Sequence, residues 1–416
     1  MTVERFDAVS WRESPLSRRG LNLSELARER GAVAEICAQV LREGDAALRE
    51  LGQKFDGWAP GPGESFAVEV DAAIAAADRE ALLFAAGRIR EFHERQLPAP
   101  ADSGSLRLVT RPVARAGVYA PGGRAAYPST VLMTAIPARV AGVEQVVLAT
   151  PPRRDGSVAP AILAAAKIAG VDAVFRVGGA QAIAALAYGT ESIPRVDVVA
   201  GPGNVYVTLA KREVFGSVGV DGIAGPTEVV VLADGDARPD FVAADLAAQL
   251  EHDPLAWGVL VTDSAKLADR VEEELEHLVR GLERAEIIRQ AHCCLVVARD
   301  LDEAIAIVDA FAPEHLLVVT AGAEEVASRV RNAGAVFVGP YATVPLGDYT
   351  AGPNHTLPTS GAARYASPLG VHTFLKRTSV LSLGRSDLES LRDATVRLAE
   401  LEGLGAHAHA VEVRLE

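Results

Sequence analysis

Short β-branched runs alternate with alanine-rich stretches of helical length along most of this 416-residue chain, and no other feature constrains its fold as tightly. Gln145-Val-Val-Leu-Ala gives way to an apolar stretch at 159–169, Val171-Asp-Ala-Val-Phe to another at 180–187, and Val196-Asp-Val-Val-Ala follows. A strand that returns parallel to its predecessor needs a crossover, and a helix supplies it. A second series opens at Glu228-Val-Val-Val-Leu-Ala, passes a helix at 241–250 and returns to strand at Trp257-Gly-Val-Leu-Val-Thr. It continues with helices expected over 265–282, 301–310 and 323–332, and strands over 294–298, 315–319 and 335–338. The expectation is an α/β protein with two Rossmann-like parallel-sheet domains, at 106–226 and 227–384.

The flanks read differently. Residues 1–105 form an N-terminal helical region, with helices over 22–53 and 71–96, Asp71 as N-cap of the second, and the turn-rich connector Trp58-Ala-Pro-Gly-Pro-Gly. Residues 385–416 form a C-terminal helix and tail; the alternation of Val411, Val413 and Leu415 suits a segment that covers its own body or reaches a neighbour. Aromatic residues are only 5% against 49% hydrophobic overall, so the interior must be built from Ala, Val, Leu and Ile. A net charge of −14 argues against a nucleic-acid backbone as partner. No apolar run reaches signal-peptide or bilayer-spanning length, which is the reading of a cytoplasmic protein with no membrane partner. Cys37, Cys293 and Cys294 cannot form a secreted-type disulfide framework, and Cys293-Cys294-Leu-Val-Val-Ala reads as a buried strand.

Against that scaffold, a few segments carry chemistry. Gln249 and His252 lie three apart at a helix end, on one face, and Asp253-Pro254 then breaks the helix. Glu314 and His315 stand directly before an apolar strand; in an extended chain they would point to opposite sides, so they can share proton transfer and water activation only if the chain bends there. Asp348 and His355 flank a glycine-containing loop, and Glu402 and His407 sit near the end of the chain. Imidazole, carboxylate and amide oxygen are the donors a zinc-type ion takes. Three strand-to-helix loops, beginning at Tyr119, Gly201 and Gly225, allow close backbone approach to a ligand, although none is the G-x-G-x-x-G fingerprint. His93, His277, His292 and His372 have no companions and read as structural.

Taken together, Tyr119-x-Pro-Gly-Gly, Gly178-Gly-Ala-Gln-Ala-Ile, Gly201-Pro-Gly-Asn, Ala224-Gly-Pro-Thr-Glu, Gln249-Leu-Glu-His, Ala312-Pro-Glu-His-Leu, Gly347-Asp-Tyr, Asn354-His and Glu402-Gly-Leu-x-Ala-His resemble the histidinol dehydrogenase family, in family order from about residue 25 onward. The resemblance implies an NAD-dependent, four-electron oxidation of L-histidinol to L-histidine through the aldehyde. It implies Gln249, His252, Asp348 and His407 as ligands of one Zn²⁺ per subunit, with His407 given by the partner of a homodimer whose tails are exchanged. It implies Glu314 and His315 as the acid/base pair. Thr227, His355 and Glu402 would touch substrate, as would His315 and the four metal-binding side chains, and Tyr119, Gln181 and Asn204 would line the NAD site.

Two positions depart from the pattern. Thr227 replaces a serine and keeps the hydroxyl. Val344 stands where relatives often carry Glu, which would remove a carboxylate from the substrate pocket and leave room for another small amino or sulfonated alcohol. Two further classes share the metal donors: a zinc hydrolase in which Glu314 activates water, and a metal-binding or assembly protein without catalysis.

Overall fold

The computed structural model describes residues 2–17, 26–61, 63–99, 105–122 and 126–416. In chain order its strands are β1 (Val3–Asp7), β2 (Ala67–Val68), β3 (Leu106–Pro112), β4 (Arg115–Tyr119), β5 (Gln145–Thr150), β6 (Ala173–Arg176), β7 (Val198–Ala200), β8 (Gly219–Val220), β9 (Glu228–Ala233), β10 (Trp257–Thr262), β11 (His292–Val297), β12 (His315–Val319), β13 (Ala335–Val338) and β14 (Leu375–Leu381). The chain divides into two compact units, one of residues 1–97 with 113–374 and one of 98–112 with 375–416.

The larger unit holds both expected sheets. The first runs β2-β6-β5-β4-β7-β8 and the second β1-β11-β10-β9-β12-β13. Counted from its own first long strand, each keeps five parallel strands in the order 3-2-1-4-5, with one extra strand added beside the third. That is the doubly wound arrangement, with its crossing point between β4 and β7 in one sheet and between β9 and β12 in the other.

Burial explains why near-continuous apolar runs make these strands. Every residue of β9 is buried, as expected where helices cover both faces. Val229, Val231 and Ala233 belong to one core layer, and Val230 and Leu232 to the layer on the opposite face. On the first sheet the helix Gly179–Tyr188 contributes Ala182, Ala184, Ala185 and Ala187 to the core, so it can lie close. At Gly117 a Cβ would stand 2.9 Å from Leu186 Cδ2, so that approach requires glycine. At the carboxyl edge of the second sheet, Asp234 after β9 accepts a 2.6 Å hydrogen bond from the Ala321 N–H after β12, bridging the crossing point.

Several flanking expectations are corrected. The N-terminal region is not purely helical, because Val3–Asp7 pairs in parallel with β11; its charged side chains hide a strand that presents one edge to solvent, and Arg5 bonds Asp269 at 2.6 Å. The helix expected over 22–53 is two helices, Ala27–Glu43 and Asp45–Phe55, separated at Gly44 with φ 56°; its residues 22–25 lie outside the described residues. The next helix begins at Ala76, and Asp71 does not cap it but pairs with Lys167 at 2.8 Å. Residues 106–112 do not open the first sheet: β3 pairs antiparallel with β14 from Leu106↔Leu381 to Leu375↔Pro112.

The smaller unit combines that ribbon with helices Arg385–Leu401 and Gly405–Glu412. The Ala-rich stretch around His407 winds into the second helix, alanine being the strongest helix former. Leu391, Leu398 and Leu401 of this unit are exposed. All three cysteines are free and buried, as the strand reading of Cys293-Cys294 required. Among the described residues no helix is long and apolar enough to cross a membrane.

Candidate active site

Ligands of doubly wound sheets ordinarily bind beyond the carboxyl ends of the strands, but the densest cluster of buried polar groups here lies at the amino edge of the second sheet. Helix Leu301–Phe311 is capped at its start by Asp300 and at its end by Ala312 in the left-handed region, φ 53° and ψ 65°. The chain then bends at Glu314 itself, where the Glu-His pair required it. Glu314 lies just ahead of β12 and His315 is its first residue, both buried, with Glu314 Oε2 3.5 Å from His315 Nδ1. His315 Nδ1 lies 3.1 Å from the Glu228 carbonyl oxygen. A carbonyl can only accept, so Nδ1 carries the hydrogen and the neutral ring keeps its lone pair on Nε2. Nε2 is buried, makes no hydrogen bond, and faces Asp348 Oδ1 at 3.7 Å.

Glu314 Oε2 accepts from the Thr227 hydroxyl at 2.6 Å and from the Glu228 N–H at 2.8 Å. Thr227 in turn accepts from Gln249 Nε2 at 2.6 Å, so one hydroxyl joins the amide and the carboxylate. The fully buried Glu228 carboxylate accepts from the Glu314 N–H at 3.2 Å and the Ser360 N–H at 3.1 Å, fastening the bend. Sequence reasoning missed Glu228 as a site residue; the signal was a carboxylate opening an otherwise apolar strand.

These contacts set the electrostatics. Burial raises the Glu314 carboxyl above the usual carboxylate range, against the His315 ring and the donors from Thr227 and Glu228. Burial alone would depress His315, but the Glu314 and Asp348 carboxylates outweigh it and raise its pKa to about 9. Asp348 is held below its ordinary value despite burial, because the histidines at 315, 355 and 252 surround it. Burial lowers His355, whose Nδ1 hydrogen is donated to the Asp348 carbonyl at 3.0 Å. Thr343 donates its hydroxyl to Asp245, tying the Asp348 helix, Val344–Tyr349, to the helix that carries Gln249, Pro239–Leu250.

Donors for a divalent cation are present in part. Gln249 Oε1 is buried without a hydrogen-bond partner. His252 directs Nδ1 to the Ala248 carbonyl at 3.0 Å, which leaves Nε2 as its coordinating nitrogen. With Asp348 this is an oxygen, nitrogen and carboxylate set of the zinc type. Among the described residues no three His, Cys, Asp or Glu side chains gather into a metal group by themselves; the set needs the amide oxygen and a further donor. Glu402 and His407 belong to the smaller unit, exposed at a helix end and within a helix.

A cavity of about 430 Å³ opens on His315, Asp348 and His355, with Phe92, Val336 and Leu369 among its apolar walls. His372, read as structural from sequence, also lines it. Val344 does not line it. That side chain is 3% exposed in the core layer of Val229, Val231 and Phe337, which corrects the expectation that its identity shapes the substrate pocket.

Tyr119, Gln181 and Asn204 gather at the carboxyl edge of the first sheet, around the β4/β7 crossing point. Tyr119 is in the core and its hydroxyl accepts from the Gly179 N–H at 3.1 Å; burial raises its pKa to about 12. Gln181 is also buried, with Nε2 3.4 Å from Asp56 Oδ2. Asn204 is exposed and caps the helix Val205–Val214, its Oδ1 accepting from the Tyr206 and Val207 N–H groups, so its Nδ2 hydrogens are the ones left for a ligand. Residues 123–125 of the Tyr119 loop lie outside the described residues. A neighbouring cavity of about 510 Å³ is lined by Asp56, Pro121, Gly122 and Pro151.

A family model described as histidinol dehydrogenase matches residues 20–415. A histidinol dehydrogenase of Parasynechococcus marenigrum is 49% identical over 396 residues, covering 92% of this chain and 91% of its own. One from Moorella thermoacetica is 49% identical over 407 residues, 94% of this chain and 96% of its own. The crystal structure of histidinol dehydrogenase from Elizabethkingia anophelis matches with a TM-score of 0.86 at 32% identity, covering 100% of this chain and 98% of that one.

The Thr227 hydroxyl is the joint of the buried network. Thr227→Val, which keeps the shape, should lower the unfolding free energy by about 1–3 kcal/mol in urea titration, since it strands Gln249 Nε2 and removes a donor from Glu314. Thr227→Ser should be close to wild type; equal stability of the valine variant would show that the hydroxyl joins nothing.

Proposed function

The chain belongs to the histidinol dehydrogenase family, NAD-dependent oxidoreductases of histidine biosynthesis, and from that premise we propose how its own residues oxidise L-histidinol to L-histidine. The observation that carries the reading is a buried imidazole, lining a cavity, whose Nε2 makes no hydrogen bond and which stands beside a buried carboxylate. His315 Nε2 takes the hydroxyl proton of the substrate alcohol as the carbon gives up hydride. Glu314, a stronger base for being buried, takes a proton from the water that adds to the aldehyde. Once His315 has passed that first proton to solvent, it takes the proton of the hydrated aldehyde as the same carbon gives up a second hydride, because both oxidations remove a proton from an oxygen on the same carbon. Thr227 and the Glu228 N–H hold Glu314 in line throughout.

The donors fit a zinc-type ion held by Gln249, His252 and Asp348 with His407 of the partner subunit, and the carboxyl edge of the first sheet suits a dinucleotide near Asn204. When bound, NAD⁺ supplies the hydride acceptor, and the cation supplies positive charge that orients substrate nitrogens and offsets the carboxylates around His315. His355 borders the substrate cavity, and Glu402 of the partner subunit would complete it. The protein acts as a homodimer with shared sites. The three free thiols suit a reducing, cytoplasmic compartment, which cell fractionation would test.

With Val344 in the core, no residue identified here favours another amino or sulfonated alcohol. The deciding measurement is NADH formed per molecule of limiting L-histidinol by metal-replete protein. Two NADH with histidine as product are expected. Substrate consumption without NADH would turn the site into a zinc hydrolase, and NADH only from another alcohol would reassign the substrate.

The pH dependence has a definite sign. A proton on Nε2 abolishes the base, and the neighbouring carboxylates move its loss upward from 6.5 toward about 9. The value of kcat/KM should therefore fall about tenfold per pH unit on the acid side of that transition. A profile without any acid limb would remove His315 as base. For the shared site, mixing inactive His315→Gln with inactive His407→Asn protein should restore part of the activity. No recovery after confirmed subunit exchange would place His407 outside the partner's site.

A further inference from the structure

One buried ion pair lies outside the catalytic network, and the mechanism above does not use it. Lys211, on the helix Val205–Val214, has a side chain only 5% exposed and pairs with Asp221, whose side chain is 2% exposed. Desolvating two charges is costly, and two apolar side chains of similar size would fill the same space as well or better. What an apolar pair could not do is bind a backbone. Lys211 Nζ donates to the Gly201 carbonyl at 2.8 Å, while Asp221 Oδ2 accepts from the Gly201 N–H at 2.8 Å. Asp221 Oδ1 accepts from the Gly222 N–H at 2.9 Å. Both polar groups of Gly201 are thereby engaged by one ion pair.

Gly201 is where β7 leaves its ladder. Its φ is +123°, and a Cβ there would stand 2.2 Å from the Tyr119 carbonyl oxygen, so the turn needs glycine and presses against the end of β4. Three residues later Asn204 caps the same helix that carries Lys211. The lysine thus reaches back along its own helix to the turn that aims Asn204. The other partner, Asp221, begins the segment that runs to Thr227. That segment is held again by the same helix, through the Thr208 hydroxyl donating to the Ala224 carbonyl at 3.0 Å. We infer that Lys211 and Asp221 are positioning residues for the nucleotide cofactor: their pair holds the 201–204 turn in its binding geometry and in register with the segment leading to the catalytic network. The inference rests on Asn204 facing the cofactor.

The test measures NADH affinity by fluorescence titration, together with KM for NAD⁺, KM for L-histidinol and kcat, in Lys211→Met/Asp221→Leu, which removes both charges together. Expected is a folded protein with cooperative unfolding, NADH affinity and KM for NAD⁺ weakened about tenfold or more, and KM for L-histidinol within about twofold of wild type. Unchanged cofactor affinity overturns the inference, as does a uniform loss of both substrates that tracks a lower melting temperature. If that double variant does not fold, Lys211→Met/Asp221→Asn, which keeps an acceptor for the Gly201 N–H, decides. A selective rise of about threefold in KM for NAD⁺ supports the positioning role, and none overturns it. Asn204→Ala separates the two layers: if it leaves NADH affinity intact, the cofactor-site reading has failed, whereas weakened Asn204→Ala beside an unaffected double variant sinks only the role of the pair.

Discussion

Glu314 is a carboxylate taken out of water, and the two hydrogen bonds that make this tolerable organise everything around it. One donor is the Thr227 hydroxyl and the other is the Glu228 N–H. A buried acid without them would lose its charge or expel its neighbours. With them, Glu314 is fixed against β9, His315 is fixed against the Glu228 carbonyl, and Gln249 is fixed through Thr227. The bend at Glu314 and the buried carboxylate of Glu228 serve that one placement. Glu314, His315 and Gln249 are therefore parts of a single network, and a change at one is felt at the others.

Much of this was legible in the chain because parallel sheets buried on both faces write themselves as apolar runs at crossover spacing. The two series of strands lie where the alternation put them, and the Cys293-Cys294 strand was readable from its apolar company. What misled was local. Val3–Asp7 is an edge strand whose charges face solvent, so it carries no period of its own. Residues 106–112 have a strand's composition, but their partner is 375–381, and composition cannot name a partner so far away in sequence. Asp71 had the right residue type for a cap, yet an ion pair with Lys167 claims it.

At the site, residue types were legible and roles were not. Glu314 and His315 could be picked out as adjacent acid and base, but their convergence depends on a bend at Glu314 that no pattern announces. Glu228 was hidden inside a strand motif. Val344 lies one helical turn before Asp348, and its side chain is packed into the core layer that includes Phe337. Tyr119 and Gln181 are nearer to scaffolding for the Gly179 turn than to exposed contacts.

The two sheets share one strand order, yet polar chemistry gathers at the carboxyl edge of the first and at the amino edge of the second. At the second sheet's own carboxyl-edge crossing point, Asp234 takes the Ala321 N–H and ties the two loops together. A repeated architecture is thus used asymmetrically. The Asn204 turn and the Glu314-His315 pair lie on opposite kinds of sheet edge, joined by the short segment between β8 and β9. Held at Asp221 and Ala224 by the helix after β7 and at Thr227 by Glu314, that segment is a tether that keeps the two edges in register.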